Sequence, residues 1–312
     1  MHHKTARETL PDTTRAILAS GRSVDLIQFR TYAFYVFAQD WLHNAMRPEN
    51  RGLSAPEIER RVAAGTLTRP GSYAGDFDAV DQKLCRRFIE RFGPVSLADI
   101  GANYGHEGMR YALLAREIGQ PMAHHACVEP AHAGLVLPAN MVLHGLGEAR
   151  IVCAALAGTD SIDLLHFAEN ATTCGTLTDN PASDRGKTVP VRLAHWDKLA
   201  EELGFSGPTF FKIDIQGAEK HFLDGAADYL AGNPCAGVCE FLPHDFGSAA
   251  AATEFLSRFA AGYHLIDAGM LRDRAIPVED AFDEHVARIL AQEKRWTDLL
   301  FFPRSLGADF LG

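Results

Sequence analysis

The sequence predicts an α/β protein built on an open, doubly wound, mostly parallel sheet with a helical extension in front of it. Two observations carry that prediction. After Pro94, short apolar runs alternate with glycine turns and helical stretches, which is the order of parallel βαβ units. Four of those runs end in a carboxylate, at Asp99, Glu129, Asp214 and Glu240. Before Gly93-Pro94 the chain lacks this rhythm and reads as helix.

Composition narrows the class further. With 312 residues, 47% hydrophobic and 22% charged, the chain can bury a sizeable core and is not expected to be disordered. Its 30 basic and 40 acidic side chains give a net charge of -10, which argues against binding polyanions, so no nucleic-acid partner is expected. No apolar run approaches the roughly 20 residues of a membrane-spanning helix. The N-terminal Met1-His2-His3-Lys4-Thr5-Ala6-Arg7-Glu8 lacks an apolar signal core, and a cytoplasmic location is expected. The six cysteines are scattered, and the three-residue gap between Cys235 and Cys239 is not a metal spacing; reduced, mostly buried thiols are expected.

The elements follow in order. Residues 23–46 carry Phe29, Tyr32, Phe34, Tyr35, Phe37 and Trp41 on more than one face, which predicts a helix buried on several sides. Ser54-Ala55-Pro56-Glu57 has the order of a capping box, Gly65 supplies a stop, and a short helix over 55–64 is predicted. Val80, Leu84, Phe88 and Phe92 recur every four residues up to Gly93-Pro94. Residues 1–93 are thus expected to form a helical extension or cap, and 94–312 the sheet domain. Within the latter, strands are predicted at 95–100, 125–129, 151–156, 209–213, 236–241, 263–267 and 297–302. Helices are predicted to begin near Glu107, Ala131, Trp196, Ala218 and Ala249. Two further short strands, 161–167 and 188–193, flank a polar loop at 169–187.

In such sheets ligands sit beyond the carboxyl ends of the strands, where turn glycines and helix N-termini gather. A carboxylate buried there needs a cation, hydrogen-bond donors or a polar ligand. The first turn, Asp99-Ile100-Gly101-Ala102-Asn103-Tyr104-Gly105, spaces its glycines four apart and opens onto a helix. Asn103 stands where a dinucleotide site has the glycine that admits a pyrophosphate, so a ligand without one is expected. Glu129, thirty positions after Asp99, is placed to accept hydrogen bonds from ribose hydroxyls, which predicts an adenosine-containing ligand.

These motifs resemble the FkbM-type S-adenosylmethionine-dependent methyltransferases. The resemblance rests on Ala98-Asp99-Ile100-Gly101-Ala102-Asn103-Tyr104-Gly105, on Val128-Glu129-Pro130 with Asn140, on Ala154-Ala155-Leu156-Ala157-Gly158, and on the stretch Phe211-Lys212-Ile213-Asp214-Ile215-Gln216-Gly217-Ala218-Glu219 with Leu223 and Gly225-Ala226. It covers about half of the chain and implies a class I methyltransferase-like, Rossmann-like sheet of seven strands. It also implies that Asp99, Gly101, Asn103 and Gly105 form the cofactor loop, that Glu129-Pro130 holds the ribose, and that Ala154 and Ala155 lie near the adenine. Asp214 would sit close to the methyl group and the acceptor. The family usually has Glu where this chain has Gln216, which retains hydrogen-bonding capacity but no charge.

The function so implied is O-methylation of a hydroxyl on a carbohydrate, glycan or natural product. Methyl transfer needs near-linear positioning and a base for the hydroxyl proton. Asp214 is the first candidate to orient or deprotonate the acceptor and His244 the second; Lys212 and Glu240 are candidate acceptor contacts. Zinc is not expected from His124-His125, which have no partner motif, whereas magnesium stays open because Asp214, Glu219, Glu240 and Asp245 supply oxygen ligands. Oligomeric state also stays open, homo-oligomers included. Two other readings share the sheet: an NAD-dependent oxidoreductase, against which Asn103 counts, and a noncatalytic adenosine-binding module.

Overall fold

The computed structural model describes residues 5–6, 24–29, 32–37, 79–130, 137–168, 175–177, 185–269, 276–278, 281–293 and 295–312. The first elements correct the sequence reading. Strands β1 (Val24–Phe29) and β2 (Tyr32–Phe37) form an antiparallel hairpin with Val24 opposite Phe37 and Phe29 opposite Tyr32, not part of one long helix. The physical reason is local: β-branched and aromatic residues fill half of β1 and all of β2 but Ala33, and such residues favour a pleated strand over a helix. The helix predicted over 55–64 lies outside the described residues.

The four-residue spacing of Val80, Leu84, Phe88 and Phe92 does give a helix, α1 (Ala79–Phe92). The alternation then follows as β3 (Ser96–Ile100), α2 (His106–Glu117), β4 (His125–Val128), α3 (Leu137–Leu143) and β5 (Arg150–Val152). The strand expected over 151–156 is divided at Cys153-Ala154. Its second half, β6 (Ala155–Leu156), leaves for a smaller sheet with β7 (Ser161–Ala168), β8 (Gly175–Thr176) and β9 (Arg185–Ala194), in the order β6-β9-β7-β8. The chain returns through α4 (Trp196–Leu203), β10 (Thr209–Ile213), α5 (Glu219–Gly225), α6 (Ala227–Gly232), β11 (Cys235–Phe241), α7 (Ala249–Ala260) and β12 (Tyr263–Asp267). It ends with the two-residue β13 (Ile276–Pro277), α8 (Phe282–Leu290), which the sequence reading missed, and β14 (Thr297–Pro303).

The main sheet runs β13-β12-β14-β11-β10-β3-β4-β5, seven strands with β13 added at one edge. Strands β11, β10, β3, β4 and β5 are parallel neighbours, while β14 is antiparallel to both β11 and β12. The chain moves outward from β3 through β4 to β5 and then crosses to β10 on the other side of β3. That reversal opens a crevice beyond the carboxyl ends of β3 and β10, the place where open α/β sheets bind ligands.

Adjacent residues of β10 show how both faces are filled. Phe210 points to the face covered by α1 and α2, with its ring 4.9 Å from that of Tyr111 and 6.4 Å from that of Phe88. Phe211 points to the other face, 5.2 Å from Trp196 and 5.5 Å from Phe222. All six side chains are buried, and each contributes about 1.5–3 kcal/mol of transfer free energy. Helix α1 is therefore part of the packing of the sheet, through Leu84, Cys85, Phe88 and Ile89 against Val95, Leu97 and Ala236. Among the described residues no helix is long and apolar enough to cross a membrane.

Candidate functional site

The turn after β3 is held from both sides. Gly101 has φ 74°, and a Cβ there would lie 1.8 Å from the Asp214 carbonyl oxygen, so only glycine lets the two switch-point loops meet. Asn103 also sits in the left-handed region, at φ 49°, and its backbone N–H donates to Glu129 Oε2 at 2.9 Å. Gly105 enters α2 in the left-handed conformation. Asn140 is buried on α3 and donates to the Tyr104 carbonyl at 2.9 Å, which fixes the turn from above.

Asp99 is fully buried, and its Oδ2 accepts from the Gly108 N–H at 3.2 Å, at the start of α2. A negative charge is favoured at a helix N-terminus. Burial nonetheless raises its carboxyl to about 7, with the Lys212 ammonium opposing the rise and Glu107 adding to it. Asp99 Oδ1 and Asn103 Oδ1 are buried without a hydrogen-bond partner. Two acceptors in one turn thus keep hydrogen-bonding capacity that a polar group could use.

Across the crevice lies the second cluster. Lys212 and Asp214 sit two residues apart on β10 and just past its end, so they share a side. Lys212 Nζ donates to the Gly101 carbonyl at 3.2 Å and to Asp214 Oδ2 at 3.1 Å. Desolvation works against the Lys212 charge, but the Asp214 and Asp99 carboxylates outweigh it and hold the ammonium well above its ordinary value. Gln216, in the left-handed region at φ 53°, donates through Nε2 to Asp214 Oδ1 at 2.7 Å and to Glu240 Oε2 at 2.8 Å.

The paired acids titrate in opposite directions. Desolvation alone would raise Asp214, yet Lys212 and the hydrogen bonds it receives keep its carboxyl below the usual range. Glu240 is pushed well above that range by burial, then by the charge of Asp214 and its hydrogen bond to that carboxylate, and then by Asp298. Asp298 stands opposite Glu240 in the β11–β14 ladder, and burial raises it to about 7. Glu219 is buried; its Oε1 accepts from the Ile215 and Gly217 amides at 3.3 Å each, which shapes the turn that carries Gln216.

The structure thus joins Asp99, Gly101, Asn103, Glu129, Lys212, Asp214 and Glu240 into one crevice. Other expected residues stand further back. Ala154 and Ala155 are buried, 1% and 8% exposed, and the exposed residue of their turn is Cys153, whose thiol lies 3.5 Å from the Pro130 carbonyl. His244, on the 3-10 turn after β11, pairs with Asp245 at 3.3 Å, and none of its contacts is with Asp214, Lys212 or Glu240. Asp245 in turn packs against Gly217. Among the described residues no group of three or more His, Cys, Asp or Glu is arranged to hold a metal ion.

Sequence reasoning missed Asp298 and Glu107. Glu107 is held by Arg110 at 3.1 Å, and its charge acts on Asp99, Lys212 and Asp298. A signal existed for Asp298, an acid inside the otherwise apolar run 297–302; its facing residue could be known only from the ladder.

The model of the Methyltransferase FkbM domain matches residues 99–264, more than half of the chain. The chain belongs to the FkbM methyltransferase family. The matched span starts at Asp99 and runs past Glu240, so it holds both clusters except Asp298, which lies beyond it. A comparison with curated proteins gave no match. Among solved structures, the chain is similar to a protein described provisionally as an RNA methyltransferase from Pyrococcus horikoshii, at 12% identity over 75% of this chain and 86% of that one, with a TM-score of 0.36. It is also similar to a superfamily member from Burkholderia thailandensis, described provisionally as a methyl transferase and bound to S-adenosyl-homocysteine, at 11% identity over 75% and 80%, with a TM-score of 0.32. The fold of this family member is read from its own strand order, with an antiparallel β14 between β11 and β12.

Proposed function

We propose that the protein is an S-adenosylmethionine-dependent O-methyltransferase that acts on a hydroxyl of a carbohydrate or natural-product acceptor. The observation that carries this reading is the meeting of two clusters at the switch point, where Lys212 Nζ touches both the Gly101 carbonyl of the first turn and the Asp214 carboxylate of the second. One cluster is a nucleoside seat and the other is a polar, acid-rich wall.

The residues present fit the cofactor. The orphaned Asp99 Oδ1 and Asn103 Oδ1 and the Glu129 carboxylate would hold its polar groups, with Pro130 and the turn around Cys153-Ala154-Ala155 beside them. When bound, S-adenosylmethionine supplies an activated methyl group, and the sulfur keeps the bonding pair. The chain's part is to place an acceptor hydroxyl and to remove its proton. Asp214 is immobilised through both carboxylate oxygens, which suits it to orient an acceptor. The wall of Asp214, Glu240 and Asp298 offers several carboxyl oxygens that can hydrogen-bond a neutral, hydroxyl-rich acceptor.

Calorimetric titration with S-adenosylmethionine, S-adenosylhomocysteine and NAD in parallel tests the proposal. Binding of the first two and not of NAD is expected. Binding of NAD alone would overturn it.

A further inference from the structure

We propose that Glu240, rather than Asp214, is the base that takes the acceptor hydroxyl's proton, and that Gln216 is the positioning residue that holds the two carboxyls in their separate roles. This rests on the methyltransferase reading above and says which side chain of that site handles the proton.

The argument starts from how the two acids are used. Asp214 Oδ2 is held by the Lys212 ammonium and Oδ1 by the Gln216 amide, and the same carboxylate also accepts a hydrogen bond from the Glu240 carboxyl, so Asp214 already serves as the ionised partner of two donors and an acid. Glu240 is tied through Oε2 to the same Gln216 amide at 2.8 Å, a neutral donor, and is hydrogen-bonded to Asp214; among the described residues no ammonium is paired with it. It stands at the end of β11, half-buried at the crevice wall, with Asp298 beside it on β14 and Asp214 and Lys212 facing it from the β10 side. Two carboxylates brought onto one amide cannot both ionise cheaply, and the one without the ammonium is the one that holds a proton more tightly. The rise of Glu240 and the fall of Asp214 agree with that assignment. The group that takes the proton must hold it more tightly than the ion-paired Asp214 does, and at this wall that group is Glu240.

The step balances simply. The O–H bonding pair stays with the acceptor oxygen and forms the new bond to the methyl carbon, while the proton passes to ionised Glu240, which becomes neutral. Gln216 stays a hydrogen-bond donor throughout; a carboxylate in its place would add a third negative charge to the pair.

The test needs no acceptor. Sinefungin carries C–NH3+ where the cofactor carries its methylsulfonium, so its ammonium probes the group beside the transferred methyl. Its affinity relative to that of S-adenosylhomocysteine is measured from pH 5.5 to 9 for the parent and three variants. In the parent, sinefungin should be preferred by about tenfold or more once the base is ionised, the worth of one close charge pair. That preference should rise with pH through a midpoint above the ordinary glutamate range. Glu240→Gln should lose the preference and its pH dependence while S-adenosylhomocysteine binds within about threefold of the parent. Asp214→Asn should keep the preference and move its midpoint down, because the neighbouring charge is gone. Gln216→Asn, too short to span both acids yet at ease at positive φ, should move the midpoint up. The proposal is overturned if Glu240→Gln keeps the parent's preference, or if Asp214→Asn abolishes it. Failure of S-adenosylhomocysteine to bind the parent would instead sink the cofactor reading.

Discussion

Asn103 donates its backbone N–H to the carboxylate of Glu129 across the gap between the first turn and the end of β4, at 2.9 Å. The acid expected to hold a ribose therefore also shapes the turn that expects the rest of the ligand. Glu129→Ala should weaken S-adenosylhomocysteine binding by about tenfold or more, since it removes a charged acceptor and loosens the loop together. Glu129→Gln, which can still accept from Asn103, should lose less. Calorimetry on the two variants separates the roles, and equal affinity of Glu129→Ala and the parent would refute both.

Three desolvated carboxyls, Asp99 and Glu219 buried and Asp298 half-buried, make stability depend on pH in a defined direction. Asp99 and Asp298 rise from 3.8, and Glu219 from 4.5, to about 7. A raised acid contributes stability that is fully present below its unfolded value and is lost as pH climbs through its folded one. The melting temperature should thus fall between pH 5 and 8. For Asp99 the gap corresponds to about 4 kcal/mol at most. Asp99→Asn keeps an acceptor for Gly108 and should flatten the fall; a slope identical to the parent's would show that Asp99 ionises normally.

Arg110 is fully buried, 2.6 Å from Asp81 of α1 and 3.1 Å from Glu107 of its own helix, and Tyr111 donates to the same Asp81 oxygen at 2.6 Å. Removing Asp81 would leave Arg110 with Glu107 but without its nearer carboxylate, and the Tyr111 hydroxyl without its acceptor. Asp81→Ala should cost about 3–5 kcal/mol in urea unfolding. A loss below about 1 kcal/mol would mean that Arg110 finds another partner.

His244 is exposed, and its partner is Asp245. His244→Ala should change stability by no more than about 0.5 kcal/mol and leave the preference for sinefungin over S-adenosylhomocysteine intact. A collapse of that preference would return the imidazole to the chemistry.

Much of this architecture is legible in the residues, because it is written in short-range patterns. The glycine spacing from Gly101 to Gly105, the acids at strand ends and the four-residue rhythm of α1 each depend on neighbours within a turn or two. The site's division of labour is not. That Glu240 faces Asp298 depends on β14 pairing antiparallel with β11, and that Gln216 spans two acids depends on its left-handed backbone beside Gly217. The hairpin at Val24–Phe37 departs from the expected helix for a different reason: aromatic crowding suits a buried helix and a strand alike, and the β-branched and aromatic content, densest in β2, favours the strand.

The position of β14 sets an order of assembly. It lies between β11 and β12, yet follows both in the chain, so β12 has no partner linking it to the rest of the sheet until β14 slides in. During synthesis the parallel half, from β5 through β11, can pair before residue 297 leaves the ribosome. The wall that carries Glu240 stays an open sheet edge until then, and the charge of Asp298 reaches it last. A nascent chain stalled before β14 would hold the formed turn of Gly101 and Asn103 beside a wall that still lacks Asp298.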